Sequence, residues 1–216
     1  YDLVEHAANS AFWNAGQNCS ANMRQIVAKT LVEEFTQAVV KRVSEYKVGD
    51  PLSLSTDLGS MISESHFRRV ADYIETGLRE GAVPIPTGQP EVTGNFINPT
   101  IYTNVNRNMT IAKDEIFGPV LGIMSVDGID EALSIAKDTE YGLHATLFTQ
   151  DIDRAIHIAR ELPCGTVAIN GFTEGDIKTP FGGYKQSGSL SRDNGTEAIE
   201  QYLQTKTIWI CTKNIQ

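Results

Sequence analysis

Residues 12–24 read FWNAGQNCSANMR, and within them Cys19 is the side chain best placed to do chemistry. Gly16, Gln17, Asn18, Ser20 and Asn22 surround it with polar, turn-forming residues, which argues against a packed core strand. A thiol at such a break is open to a small substrate, and the Cys19 N–H can hold an oxyanion. Arg24 adds positive charge nearby, which favours thiolate over thiol if its guanidinium points toward the sulfur. The chemistry this predicts is addition of sulfur to a carbonyl carbon. From these residues alone, a reactive thiol and a small apolar filler both stand.

The surrounding elements must present that loop. Leu3, Val4, Ala7, Ala8, Ala11 and Phe12 recur at helical spacing before Gly16, predicting an amphipathic helix over 1–15. A short strand is expected over 25–29. A helix over 30–46 follows, its apolar side made by Leu31, Val32, Phe35, Val39 and Val43. Ser63 opens another helix with a buried stripe of Phe67, Val70, Ile74 and Leu78, closed by Gly81. The segment 82–99 reads as a short strand and a loop. Further strands are expected over 100–105, 120–126, 145–149 and 166–170, alternating with helices over 129–137 and 152–162.

This alternation predicts an α/β fold: one open, mostly parallel twisted sheet flanked by helices, in a single domain spanning 1–216. After Asn170 the chain is too rich in Gly and Ser to pack, and long loops at the carboxyl ends of parallel strands commonly bind ligands. The stretch 196–202 is expected to form a short helix. Residues 203–211 read as a terminal strand whose Ile208, Trp209 and Ile210 form an edge in need of a partner.

Composition narrows the function classes. Of 216 residues, 41% are hydrophobic and 21% charged, ordinary for a globular protein and incompatible with global disorder. A net charge of −9 without a basic cluster disfavours nucleic acid. No apolar run approaches the roughly 20 residues of a membrane helix. Three widely spaced cysteines argue against a disulfide framework and for a reducing compartment, so a cytoplasmic location is expected. Cys164 and Cys211 are expected to fill space. No metal site is expected, because His6, His66, His144 and His157 are scattered and no Cys/His cluster exists.

FWNAGQNCSANMR resembles the active-site signature of the aldehyde dehydrogenase superfamily. KDEIFGPVLGIM at 113–124 and TPFGGYKQSG at 179–188 resemble two further family motifs, in family order. The resemblance implies that Cys19 is the nucleophile, passing from thiohemiacetal to thioester while a hydride leaves to NAD or NADP. It assigns Glu115 to the hydroxyls of the nicotinamide ribose and Phe117 to the wall against the nicotinamide ring. Read without it, Glu115 is a solvated loop carboxylate and Phe117 a core residue.

The family's general base and second oxyanion donor lie before the cysteine and fall on no residue of this chain. Its nucleotide-binding domain is expected to precede Tyr1, since a full-length relative would be more than twice this length. Hydride transfer by these residues alone is therefore not expected. The resemblance also implies a homo-oligomer, dimer or tetramer, formed through the last strand.

The family's substrate channel involves residues beside the cysteine and the loop after Asn170, here Asn18, Ser20, Asn170, Phe172, Glu174 and Asp176. Glu174 and Asp176 would attract the cationic end of an amino aldehyde, and EGDIKTPFGGYKQSG resembles gamma-glutamyl-aminobutyraldehyde dehydrogenases. Equally, these carboxylates face water beside Lys178, and Asn170 caps a turn. SLSRDNG departs from the Gly-Arg pair typical after the last motif. Two other functions stand beside the dehydrogenase: a catalytically silent oligomerisation module, and a cysteine-dependent esterase.

Overall fold

The computed structural model describes residues 3–88, 92–173, 175–188 and 191–212. Its central strand is β4 (Val120–Val126), buried along nearly its whole length, as its apolar run requires. β1 (Arg24–Ala28) and β3 (Thr100–Thr103) flank it in parallel, and β2 (Val83–Ile85) runs antiparallel on the outer edge of β3. α1 (Leu3–Phe12), α2 (Val32–Ser44), α3 (Glu64–Arg79), the single turn α4 (Thr110–Lys113) and α5 (Ile129–Lys137) complete this part. Phe12, Tyr102, Ile101, Leu121 and Met124 lie fully buried at its centre. The Tyr102 hydroxyl donates to the Ile74 carbonyl over 2.7 Å, and burial pushes its phenol up.

The local signals act as expected in most elements. Ser63 accepts the His66 N–H and starts α3. The Glu5 carboxylate accepts from Nε and Nη2 of the Arg42 guanidinium, tying α1 to α2 and holding the guanidinium well above its ordinary value. The helix expected over 1–15 stops at Phe12, because Asn14, Ala15 and Gly16 turn left-handed at φ of 52, 55 and 69°.

The expected single sheet is divided. β5 (His144–Leu147) and β6 (Thr166–Ile169), joined through α6 (Ile152–Glu161), form a parallel pair of their own. Among the described residues the outer edge of β1 meets no strand; a cavity lined by both β1 and β5 lies between them. The strand expected over 203–211 is also absent. Those residues join no ladder among the described residues and are exposed, Trp209 at 88%, because an edge strand cannot form without a partner to pair with. Cys211 is likewise exposed rather than filling space. No helix among the described residues is long and apolar enough to cross a membrane.

β1 and β4 begin their ladder at Arg24 and Gly122, so the loops that precede them emerge at the same, amino-terminal end of the sheet. That end carries the sulfur.

Candidate active site

The thiol loop is a left-handed turn clamped on both sides. Each non-glycine residue in that conformation costs about 1–2 kcal/mol, so the surroundings must hold Asn14 and Ala15 there. Asn14 Nδ2 donates to the Gln17 carbonyl over 2.9 Å. Gln17 then spans to the loop before α3: its Nε2 donates to the Ser60 carbonyl, and its Oε1 accepts the Ile62 N–H over 2.8 Å. Past this clamp Cys19 is exposed, its Sγ 3.8 Å from Asn18 Oδ1. The Asn18 oxygen also accepts the Ser20 N–H, while the Cys19 N–H meets no acceptor among the described residues.

The second loop, 114–119, lies against the first. A Cβ on Gly16 would overlap the Gly118 carbonyl and stand 3.0 Å from Pro119 N, so this approach admits only glycine. On its other side Gly118 packs on Val70 of α3. Phe117 is left-handed at φ 59°, and its carbonyl accepts from His66 Nε2 over 2.7 Å. Arg69 Nη2 donates to the Glu115 carbonyl over 3.0 Å, not to its carboxylate. Cys19, Asn18, Glu115 and Phe117 all line one cavity of about 740 Å³. An exposed sulfur, a carboxylate and an aromatic face thus open onto one space. Among the described residues no His/Cys/Asp/Glu cluster suits a metal.

The sequence profile of the aldehyde dehydrogenase family matches residues 2–208. The chain belongs to that family. It is 41% identical over 210 residues to the aminoacetaldehyde dehydrogenase of Pseudomonas aeruginosa, covering 97% of this chain and 42% of that protein. It is 40% identical over 204 residues to the betaine aldehyde dehydrogenase of Brucella anthropi, covering 92% of this chain and 42% of that one. Its fold is similar to that of Staphylococcus aureus betaine aldehyde dehydrogenase in complex with NAD+, with a TM-score of 0.89 and 36% identity, covering 94% of this chain and 41% of that one. The NAD+ complex of the Bacillus cereus aldehyde dehydrogenase gives a TM-score of 0.91 at 36% identity, covering 97% and 43%. The chain spans less than half the length of these relatives.

Not every residue expected at the site of this aldehyde dehydrogenase chain reaches it. Ser20 turns inward, 1% exposed, and its Oγ has no hydrogen-bond partner among the described residues. Asn170 closes β6 at φ 60° and is occupied by Thr149, whose N–H it accepts and whose carbonyl it donates to, each over 2.8 Å. Phe172 packs its ring edge-on to His144, 5.5 Å away, and does not line the cavity. Asp176 lies off the cavity, with its Oδ1 accepting the Lys178 N–H over 2.8 Å. Glu174 falls outside the described residues. His144 is a structural histidine: Nδ1 meets Asn22 at 3.2 Å and Nε2 meets the Thr173 carbonyl at 2.8 Å.

Arg24 also departs from expectation. Its guanidinium donates to the Ile135 and Ala136 carbonyls near the end of α5 and feels Asp138 and Cys164, not the Cys19 loop. Strand alternation sends that side chain to the face covered by α5. Burial pulls Arg24 below its ordinary value, opposed by Asp138. Burial pushes the Cys164 thiol up, partly offset by Lys185 and Arg24. Iodoacetamide at neutral pH is therefore expected to alkylate the exposed Cys19 and Cys211 at least about tenfold faster than Cys164. Peptide mass spectrometry over a time course reads the three rates. The residue that sequence reasoning missed is His66; its one signal was a histidine three positions after a helix-capping serine.

Proposed function

We propose that these residues are the thiol-bearing catalytic part of an NAD-dependent aldehyde dehydrogenase, with Cys19 as nucleophile. The observation that carries this reading is the exposed Cys19 sharing one cavity with Glu115 and Phe117, on loops in main-chain contact. Sulfur adds to the aldehyde carbon, and the Cys19 N–H is free to donate to the oxyanion of the thiohemiacetal. Loss of hydride from that carbon gives the thioester, which water cleaves to the carboxylic acid with return of the thiol.

The cofactor fits the residues present: the Glu115 carboxylate can accept two ribose hydroxyls, and the Phe117 ring can back the nicotinamide. When bound, it supplies the hydride acceptor. NAD is favoured over NADP by the solved relatives described as NAD+ complexes. No general base is assigned among these residues, and hydride transfer by them alone is not expected, since they span under half of each relative.

An amino aldehyde is the proposed substrate, supported by the aminoacetaldehyde and betaine aldehyde relatives. The exposed Ile208, Trp209 and Ile210 support assembly into a homo-oligomer, and three free cysteines support a reducing, cytoplasmic setting.

Thiohemiacetal formation needs no cofactor, so 3-aminopropanal is expected to protect Cys19 from iodoacetamide at a several-fold lower concentration than propanal. Equal protection by the two would remove the amino aldehyde. No protection by either would remove the aldehyde reading and leave an esterase or a silent module.

A further inference from the structure

We propose that His66 is a positioning residue for the cofactor loop: its Nε2–H, donated to the Phe117 carbonyl over 2.7 Å, fixes the left-handed backbone that turns Phe117 and Glu115 toward the cavity. The inference rests on the cofactor reading above and adds a residue that does not itself line the cavity. An aromatic residue at φ 59° occupies a region that L side chains rarely adopt, so something must hold it. A carbonyl oxygen can only accept, so the facing Nε2 carries the hydrogen.

The histidine is itself well fixed. It sits in the first turn of α3, where Ser63 Oγ accepts its backbone N–H over 3.2 Å. Its ring also meets the Phe117 ring edge-on, with centroids 6.1 Å apart and planes at 68°. One side chain thus fixes both the carbonyl and the ring of Phe117.

Two further contacts come from the same face of α3. Arg69 holds the Glu115 carbonyl, and the Tyr73 hydroxyl donates to Asp114 Oδ2 over 3.1 Å. Spacings of three and seven residues put all three on one stripe of the helix. The Arg69 and Tyr73 bonds are exposed to water, whereas the His66 bond is half-buried and less open to competition from water. Without it, Phe117 is free to relax to negative φ, which rotates its peptide and swings the ring off the wall.

The test uses the 216-residue chain with carbonyl-13C phenylalanine and 15N glycine, so that the Phe117–Gly118 and Phe181–Gly182 peptide bonds give the two Phe–Gly signals. β-Nicotinamide mononucleotide is the ligand probe. His66→Ala is expected to shift or split the 117–118 signal, leave the 181–182 signal in place, and weaken mononucleotide binding about tenfold. His66→Gln, whose amide keeps the donor at similar reach, is expected to restore both to within about twofold. If His66→Ala fails to fold, His66→Asn replaces it; its shorter donor should lose the signal that His66→Gln keeps.

An unmoved 117–118 signal in His66→Ala, or a glutamine that rescues no better than alanine, overturns the positioning role. A signal that moves and recovers while the wild-type chain ignores the mononucleotide overturns the cofactor reading, and with it this use of His66.

Discussion

Replacing Cys19 with alanine is expected to abolish hydrolysis of p-nitrophenyl acetate by this chain, a loss of at least about 10³-fold. The reaction needs only what these residues offer. The Cys19 sulfur bonds to the acetyl carbon, the Cys19 N–H faces the developing oxyanion, and p-nitrophenolate leaves with its electron pair. Water then splits the thioester to acetate and thiol. Because no general base has been found here, that second step should be slow, giving a burst of about one nitrophenolate per chain before a low steady rate. Stopped-flow absorbance measures the burst, and mass spectrometry locates the acetyl group. Cys164→Ala should leave both unchanged, since its thiol is half-buried, off the Cys19 loop, and pushed up by that burial. A burst that survives in Cys19→Ala would falsify the assignment of the nucleophile.

The second large effect concerns the joint between the two loops. Gly16→Ala would drive a Cβ into the Gly118 carbonyl and impose a side chain on a backbone at φ 69°. Main-chain atoms on both sides cannot step aside, so we expect a loss of about 2–4 kcal/mol. For a chain of this size that lowers Tm by roughly 5–15 °C. Gly118→Ala meets something softer: its Cβ would lie 2.6 and 2.8 Å from the two methyl carbons of Val70. Val70→Ala should therefore recover much of the Gly118→Ala loss and little of the Gly16→Ala loss. Thermal unfolding followed by far-UV circular dichroism gives all five stabilities. Equal rescue of both glycine variants would show that the loops are not in the main-chain contact described.

These two residues also mark how far the sequence could be read. The helices and strands around them were legible because each announces itself locally. Ser63 caps α3, and the apolar run of β4 permits only a buried strand. The thiol was legible through the turn formers around it. What the spacing could not convey was direction. Arg24 is five residues from Cys19, yet strand pleating aims it at α5 and Cys164. Ser20 is adjacent to the sulfur, yet the turn that exposes one buries the other. Asn170 was placed at a strand end, where Thr149 occupies its amide. His66 and Phe117 are 51 residues apart, and nothing short of the packed α3 brings them together. The residues at 203–211 carry the pattern of a strand, but a ladder needs a second member.

The two tryptophans have a practical consequence. Trp13, in the turn leading to the sulfur, is 52% exposed, and Trp209, on the terminal segment, is 88% exposed, so the hydrophobic core contains neither. Intrinsic fluorescence of this chain is therefore nearly blind to melting of the core, since both indoles already look out on solvent before it begins. The same emission becomes informative for the opposite kind of event, in which the terminal segment is covered by another surface and its indole turns blue.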